Sequence, residues 1–402
     1  MRRGGGGRLY CPYCYESCVE QEIEFRCAGG PGRGCASEVD TVLRDRIGYA
    51  GALPPVFTAD GRQSSAACPR CGTVSTARVC SSCHSRLPVL FGKVPSRLIA
   101  LVGAKQSGKS VFMTVLLHEL MHDLGTRLDA AISGADDETL HRFASDYERP
   151  LYRESLLLPP TAAAGLRNRV PLVFRFTTAG RQPGWSALRA RANGGVPRHT
   201  LLSFFDAAGE DLLSQQSVEQ NVRYLTAADG VILILDPLQM PGARGLAGSG
   251  ALLPAPATTD DQPATVLANI TDLMLAQEGR RPGEPIRKPL AIVFSKMDSL
   301  ASELRPTSPL LRPPSRTPHL PEQDSLAVHH EIRQLLERWE GSRIDQIARL
   351  HYRTYRYFGV SALGETPTTD NHVSRRGIRP LRIGDPFMWT LAQFGAIPVK
   401  RD

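Results

Sequence analysis

Six mostly apolar stretches from residue 98 onward have the length of strands that are buried on both faces. They lie at 98–102, 170–176, 201–205, 231–235, 290–294 and 354–360. Such runs are typical of the parallel strands of α/β proteins. Apolar residues at helical spacing lie between or after them, at 111–118, 211–228, 263–278, 325–345 and 384–395. This alternation predicts an α/β fold with three layers, α/β/α, around a mostly parallel sheet.

Longer polar or Gly- and Pro-rich stretches interrupt this pattern. They predict inserts near 129–160, 179–198, 240–264 and 301–322. All nine cysteines lie before residue 84, ahead of the first apolar stretch. A length of 402 residues suits more than one domain. The sequence therefore predicts a small cysteine-rich module at 8–92 and a larger α/β domain at 95–400.

Composition narrows the classes of function. Apolar residues make up 42% of the chain, which is enough for a sizeable core and excludes a disordered protein. The net charge of +8 permits nucleic acid as a partner but does not favour it, because the basic residues are spread along the chain. No stretch reaches the roughly 18 apolar residues of a membrane span, and the N-terminus has no apolar core of a secretory signal. We expect a cytoplasmic protein with reduced or metal-bound cysteines.

The cysteines are spaced as zinc ligands. Cys-x-x-Cys pairs occur at 11–14, 68–71 and 80–83, and two such pairs can hold a tetrahedral Zn2+. We expect one site from the last two pairs, Cys68, Cys71, Cys80 and Cys83, and a second from Cys11, Cys14, Cys27 and Cys35. Cys18 fits either as a replacement ligand or as a small buried residue. His84 is expected to be exposed.

The strongest motif is Gly-x-x-x-x-Gly-Lys-Ser at 103–110, between an apolar stretch and a predicted helix. Loop N–H groups and the helix N-terminus favour anionic oxygens there. Lys109 adds a positive charge for the β- and γ-phosphates of a nucleotide, and the Ser110 hydroxyl is a ligand for Mg2+. The predicted phosphate-binding residues are Gly103, Ala104, Lys105, Gln106, Ser107, Gly108, Lys109, Ser110 and Val111.

Polar residues end two later apolar stretches. Asp206 begins an Asp-x-x-Gly sequence, in which the carboxylate is placed to anchor Mg2+ and the N–H of Gly209 to meet a γ-phosphate. Ser295-Lys-x-Asp298 follows the stretch at 290–294. The carboxylate of Asp298 can accept two hydrogen bonds from guanine, which adenine cannot supply, while Lys296 can lie over the base and buttress the loop. Ser361, Ala362 and Leu363 then supply N–H groups for the guanine carbonyl.

In this order, these motifs resemble the TRAFAC-class P-loop GTPases, with a Ras-like fold, over residues 95–400. The long inserts and the Asp-Pro-Phe-Met-Trp helix near the end look like the double-GTPase-type domains of bacterial conflict or signalling systems. The resemblance implies GTP/GDP as cofactor and a role for Thr161 in coordinating Mg2+ and touching the γ-phosphate. It also places Glu210 where many relatives have a water-orienting Gln.

This departure implies slow hydrolysis that a protein partner accelerates. Lys109, Thr161, Gly209 and Glu210 are the predicted catalytic residues, and Lys105, Arg167 and Arg169 are weaker candidates for charge stabilisation. The preferred hypothesis is a guanine-nucleotide switch whose zinc module contacts an unidentified protein partner or activator. Two alternatives remain open: a zinc-module scaffold with a structural nucleotide, and a P-loop ATPase.

Overall fold

A seven-stranded sheet forms the centre of the protein in the computed structural model. The structure describes residues 9–29, 34–104, 106–159, 170–178, 198–204, 222–248, 251–256, 262–276, 283–315, 317–368 and 371–401. In chain order the sheet strands are β1 (Ser96–Gly103), β2 (Ala130–Gly134), β3 (Leu172–Thr178), β4 (Arg198–Phe204), β5 (Gly230–Leu235), β6 (Leu290–Phe294) and β7 (Tyr355–Gly359).

The strands lie in the order β2-β3-β4-β1-β5-β6-β7. β1 pairs in parallel with β4 and β5, and β6 is parallel to both β5 and β7. β2 and β3 extend the sheet in antiparallel register, with Ala130 opposite Thr178 and Leu172 opposite Phe204. The prediction of an α/β fold with a mostly parallel sheet, preceded by a small cysteine-rich region, is confirmed.

Helices cover both faces of this sheet. The helix after β1, α1 (Lys109–Met121), packs on one face with α5 (Asp385–Gln393). The other face carries α2 (Pro263–Leu275), α3 (Glu322–Arg338) and α4 (Ser342–His351). Alternate residues of each buried strand serve the two cores, so that Ile99 and Leu101 face α1 while Ala100 and Val102 face the opposite layer. The result is a three-layer α/β/α arrangement around a mostly parallel sheet.

Two parts of this domain differ from the sequence-based expectation. Residues 130–134, placed in an insert, form the edge strand β2, whose small residues and single large apolar side chain give no strand pattern. The single helix expected at 325–345 is two helices, because the chain turns at 339–341. There Glu340 has a φ of +61° and the amide of Gly341 bonds the carbonyl of Leu336 at 2.8 Å.

Shorter helices connect these elements. They are Asp123–Arg127, Asp137–Arg142, the π-helical segment Phe143–Arg153, residues 222–227, Pro241–Arg244 and the 3-10 segments Pro237–Gln239, Met297–Glu303 and Pro309–Leu311. A two-stranded pair, Leu320–Pro321 with Val399–Lys400, lies near the chain end. Among the described helices, none has the length and apolar character that crossing a bilayer requires.

The cysteine-rich region is built from short strands. A three-stranded sheet joins Glu24–Arg26 to Val56–Phe57 and Arg78–Val79. Two-stranded pairs are formed by Leu9–Tyr10 with Ser17–Cys18, Glu38–Val39 with Ala52–Leu53, and Ala66–Ala67 with Val74–Ser75. A helix, Thr41–Ile47, begins at Asp40, whose carboxylate accepts from the amide of Leu43 at 3.1 Å. This region shares an apolar cluster with Val173 of β3 and Leu201 of β4, so it packs directly on the sheet.

Candidate functional site

The loop between β1 and α1 brings its backbone close to a neighbouring strand. A Cβ on Gly103 would lie 2.6 Å from both the carbonyl oxygen of Ile234 and the hydroxyl of Ser107, so only glycine fits there. Gly108, immediately before α1, has a φ of +82°, which glycine adopts without strain. These two glycines let the loop turn tightly around the N-terminus of α1, where helix N–H groups favour anions.

Two polar side chains of this loop are buried. Ser107 is fully buried, and its hydroxyl has no hydrogen-bond partner among the described residues. The side chain of Lys109 is 6% exposed in spite of its charge. A buried hydroxyl such as that of Ser107 is normally satisfied by a partner or a bound ligand. The loop therefore has the chemistry of an anion-binding site.

Residues from the end of β6 hold this loop in place. The Ser295 hydroxyl donates to the carbonyl of Ser107 at 2.7 Å, and Lys296 Nζ donates to the carbonyl of Gln106 at 2.9 Å. Lys296 itself has a φ of +54°, in the left-handed region. The loop after β6 and the phosphate-type loop after β1 thus form one bonded unit.

Asp236, at the end of β5, is a further member of this unit that sequence reasoning missed. Its carboxylate is fully buried and lies 2.5 Å from Lys296 Nζ. The other carboxylate oxygen accepts from the amide of Leu238 at 2.9 Å. The signal in the sequence is its position, because an aspartate directly follows an apolar stretch here, as Asp206 does after the stretch at 201–205.

Asp298 and Ser361 lie together at the ends of β6 and β7. The Ser361 hydroxyl donates to the Asp298 carboxylate at 2.5 Å and accepts from the amide of Gly364 at 2.8 Å. A backbone bond from the amide of Met297 to the carbonyl of Val360, 3.1 Å long, joins the same two loops. Ala362 and Leu363 are partly buried beside the apolar core under α1. The structure therefore brings the two predicted base-contacting segments into one place.

Several predicted site residues lie outside the described part of the chain: Lys105, Thr161, Arg167, Arg169, Asp206, Gly209 and Glu210. Their roles stay predictions. Ser110 and Val111 are in the first turn of α1. The structure therefore describes the base-contacting side of the predicted site and most of the phosphate loop.

The cysteines form two groups of four. One group, the proximal cysteine site, consists of Cys11, Cys14, Cys80 and Cys83; the other, the distal cysteine site, consists of Cys27, Cys35, Cys68 and Cys71. Within each group all sulfur atoms lie within 4.8 Å of one another. The Cys11–Cys83 and Cys14–Cys80 sulfur distances are 3.9 and 3.8 Å. Four thiolates bound tetrahedrally to zinc at about 2.3 Å lie about 3.8 Å apart, so both groups fit Zn2+.

This grouping corrects the expected one. The spacing suggested that the pairs 68–71 and 80–83 share a metal, but the structure nests one site inside the other. The reason lies in the strand pairing. Glu24–Arg26 runs antiparallel to Arg78–Val79, with Glu24 opposite Val79. Cys27 and Cys80 therefore leave this strand pair at opposite ends, and each joins a different site.

The cysteines of the proximal site shift one another's pKa values in opposite directions. Hydrogen bonds from Cys11, Cys14 and Cys83 lower the pKa of Cys80, while burial raises the pKa of Cys11. The neighbouring thiols therefore stabilise one thiolate. A second or third thiolate would be repelled by the negative charge of the first, with little water to screen it. A divalent cation offsets this charge. Cys18 is buried beside this site but belongs to neither group of four.

His84 also differs from expectation. Its side chain is 17% exposed rather than solvated, and Nδ1 lies 2.9 Å from the Asp40 carboxylate. Asp40 is bonded in turn by the Arg26 guanidinium at 2.7 Å. His84 therefore belongs to a polar network that ties the 80–83 turn to the helix Thr41–Ile47.

Comparison with known proteins finds a relative that aligns with most of the chain. No family model matches the chain. The sequence is 31% identical over 370 residues to SaeC of Mycolicibacterium smegmatis, covering 87% of this chain and 86% of that one. SaeC is named as an ESX-1 scaffolding and assembly protein. The fold and the strand-end loops define an α/β protein of the P-loop GTPase type. At this identity and coverage, the chain belongs to the family of SaeC.

Three solved structures with which the chain aligns are remote. The small GTPase Arl6 BBS3 of Trypanosoma brucei is 14% identical, with a TM-score of 0.29 over 75% of this chain and 98% of that one. The GTPase-like domain of S. cerevisiae Ski7 is 11% identical, with a TM-score of 0.32 over 77% and 51%. The G domain of T. maritima FeoB is 10% identical, with a TM-score of 0.24 over 67% and 91%. At such low TM-scores these likenesses assign neither ligand nor reaction.

Proposed function

We propose that this chain binds guanine nucleotides and uses them to control assembly of a protein complex. The observation that carries this proposal is the bonded unit of the Ser295–Asp298 loop and the phosphate-type loop. Lys296 and Ser295 fix the backbone of Gln106 and Ser107, while Asp298 and Ser361 meet beside them. A base-contacting loop that is hydrogen-bonded to a phosphate-binding loop suits a nucleoside triphosphate.

The described residues fit such a ligand. The orphaned hydroxyl of Ser107 and the glycines at 103 and 108 suit phosphate oxygens close to the backbone. Lys109 would hold the β- and γ-phosphates, and Asp298 would accept from the guanine base. Ser110 would supply a hydroxyl to Mg2+, together with Thr161 and Asp206. When bound, Mg2+ neutralises charge on the phosphates.

Hydrolysis is proposed to be slow without a partner. Glu210 would stand where a neutral glutamine orients water in related GTPases, and its negative charge is unfavourable beside a γ-phosphate. Gly209 and Lys109 would contribute donors to the phosphate oxygens, and Thr161 would close over them. We therefore propose a switch that holds GTP for a long time until a partner accelerates its hydrolysis.

The relationship to SaeC supports a role in assembly. SaeC is named for scaffolding and assembly of ESX-1, and we propose that this chain acts on a comparable protein assembly through its zinc-loaded cysteine-rich region. We also propose a cytoplasmic location, where the nine cysteines, none of them in a disulfide, would stay reduced or bound to zinc. The finer resemblance to double-GTPase-type domains of conflict systems remains a prediction.

A second candidate is a scaffold with a structural nucleotide and little turnover. The name of SaeC favours it, because scaffolding needs no hydrolysis. In this case the nucleotide would stabilise the strand-end loops, and the partner would bind without regard to the phosphate state.

Titration of the purified chain with fluorescent GTP, GDP and ATP analogues tests these proposals. Guanine preference with slow phosphate release supports the switch, and equal ATP binding removes the guanine assignment. Nucleotide that stays unhydrolysed, even with components of an ESX-1-type assembly added, favours the scaffold. The site variant S361A should weaken guanine binding, while the exposed-face variant D272N should leave it unchanged, since Asp272 is exposed on α2.

A further inference from the structure

The residue after each Cys-x-x-Cys turn adopts a left-handed conformation. Tyr15, Gly72 and His84 have φ values of +62°, +74° and +57°. Each amide bonds the carbonyl of the first cysteine of its turn, at 3.0, 2.8 and 2.8 Å. Glycine takes this conformation freely, whereas a tyrosine there is strained. Contacts with the surrounding residues must therefore stabilise the left-handed conformation of Tyr15.

The ring of Tyr15 is held by the α/β domain. It is 3% exposed and packs on Tyr224, with ring centroids 5.0 Å apart. Two polar contacts flank this aromatic pair. The Ser203 hydroxyl of β4 donates to the carbonyl of Pro12 at 2.9 Å, and Arg223 bonds Glu16 at 2.9 Å. The turn that carries Cys11 and Cys14 is therefore seated on β4 and on residues 222–227.

Tyr224 continues this contact into the strand of the phosphate-type loop. Its hydroxyl donates to the carbonyl of Ile99 at 3.0 Å and accepts from the amide of Leu101 at 2.8 Å. In the described residues β4 pairs with β1 only at Ser96–Leu98. On the β4 side of β1, the Tyr224 hydroxyl satisfies the backbone groups of Ile99 and Leu101, which follow the described pairing with β4. Two residues further on, β1 ends at Gly103, where the loop begins.

We propose that Tyr15 and Tyr224 make zinc binding at the proximal cysteine site and nucleotide binding at the phosphate-type loop interdependent. Zinc fixes the 11–14 turn and holds Tyr15 in its strained conformation. Tyr15 then holds Tyr224 against β1, which sets the strand end where the nucleotide phosphates bind. This proposal rests on the nucleotide-binding function proposed above. Such coupling is reciprocal, because each ligand raises the affinity of the other by the same factor.

The variant Tyr15→Gly separates this role from metal binding. Glycine serves the same turn position at residue 72, so the variant keeps the conformation needed for zinc and loses only the ring. His84→Gly is the matched control, because it changes the same position in the other turn of the same site. The side chain of His84 faces Asp40 and Glu24 rather than the α/β domain.

The measurement compares full-length protein loaded with zinc and protein treated with a zinc-selective chelator in excess Mg2+. Fluorescent GDP is titrated into each, and zinc affinity is measured with and without GDP by competition with a chromogenic chelator. In the wild-type chain we expect zinc to tighten GDP binding about tenfold, and GDP to tighten zinc binding equally. Y15G should bind zinc and GDP with both effects reduced to less than twofold, while H84G should retain them.

The outcomes distinguish the proposed interdependence from the nucleotide-binding function on which it rests. No GDP binding to zinc-loaded wild type overturns the nucleotide function itself. GDP binding that is indifferent to zinc, or full coupling in Y15G, overturns the interdependence alone. If Y15G loses its proximal zinc, Tyr224→Phe decides, because it keeps both rings and removes only the hydroxyl on β1. Y224F should weaken GDP binding in zinc-loaded protein, and an unchanged GDP affinity would contradict the proposed route.

Discussion

Lys296 Nζ lies between the buried carboxylate of Asp236 at 2.5 Å and the carbonyl of Gln106 at 2.9 Å. One ammonium group therefore joins the ends of β5 and β6 to the loop after β1. A fully buried carboxylate is stable in a protein only when a partner offsets its charge. Asp236 fixes Lys296 because the carboxylate has little access to water as an alternative partner.

Asp236→Asn should lower the free energy of unfolding by about 1–3 kcal/mol, because the Lys296 ammonium loses a charged hydrogen-bond partner. Guanine-nucleotide affinity should fall as well, since Lys296 then holds Gln106 less firmly. Chemical denaturation and GDP titration measure the two effects. Glu303→Gln is the control. It breaks a half-exposed ion pair between Glu303, at the end of the segment Met297–Glu303, and Arg338 of α3, and should change stability by about 1 kcal/mol or less. Equal effects of both variants would contradict this role of Asp236.

Asp298→Asn should shift binding from guanine toward xanthine nucleotides, because the 2-carbonyl of xanthine suits the new amide donor. Competition between GDP and xanthosine diphosphate measures the shift. Ser361→Ala should weaken GDP binding without this reversal, since the Asp298 carboxylate remains but loses its 2.5 Å partner. Unchanged GDP preference in D298N would remove Asp298 from the base-contacting site.

The nested cysteine grouping predicts how much zinc paired substitutions remove. Wild type should bind two zinc ions per chain, one for each group of four. C14S/C80S changes only the proximal site and should retain one zinc. C14S/C27S changes both sites and should retain none. Zinc per chain is measured by elemental analysis after gel filtration. The reverse result, one zinc in C14S/C27S, would support the grouping that sequence spacing suggested.

The acid stability of the α/β domain should depend on His329. Its Nδ1 accepts from the amide of Tyr357 at 3.1 Å, and burial, with nearby Arg356, lowers the pKa of His329 to about 4. The ordinary pKa is about 6.5. Between these values the unfolded chain takes up a proton that the folded chain does not. This contribution to stability is complete above pH 6.5 and is lost as pH falls toward 4.

His329→Gln should flatten the decline in the free energy of unfolding between pH 6.5 and 4. Urea unfolding at several pH values measures this slope. His141→Gln, at an exposed position on the helix Asp137–Arg142, should leave the slope as in wild type. A wild-type slope in H329Q would show that other groups carry the acid sensitivity.

The sheet and the strand-end loops were predictable because their signals are local. A continuous apolar run such as 231–235 becomes a buried strand, and the run at 98–102 leads directly into the glycine motif of the loop. The edge strand β2 was not predictable, because Ala130–Gly134 has few large side chains and gains its order from pairing with β3. Its register depends on backbone bonds that any sequence can make.

The candidate site shows the same limit. The sequence indicates Ser295 and Asp298 because they end a buried strand in a known pattern. It gives no sign that Asp236 pairs with Lys296, or that the Tyr224 hydroxyl completes β1, because these are contacts between distant parts of the chain. The cysteine grouping was missed for a related reason. Identical side chains can combine in several ways, and only the antiparallel pairing of Glu24–Arg26 with Arg78–Val79 selects one of them.

Nesting of the two cysteine sites has a consequence for biosynthesis. The proximal site closes the chain over 72 residues between Cys11 and Cys83, and the whole distal site lies inside that loop. Closing the shorter distal loop first, between Cys27 and Cys71, shortens the remaining search, since loop-closure entropy grows with length by about 0.6 kcal/mol per doubling. Metal loading should therefore proceed from the inside outward. Zinc binding at the proximal site is then the last step, and it fixes the turn that packs on the seven-stranded sheet. Packing of the cysteine-rich region on the sheet should therefore occur only in chains that hold both zinc ions.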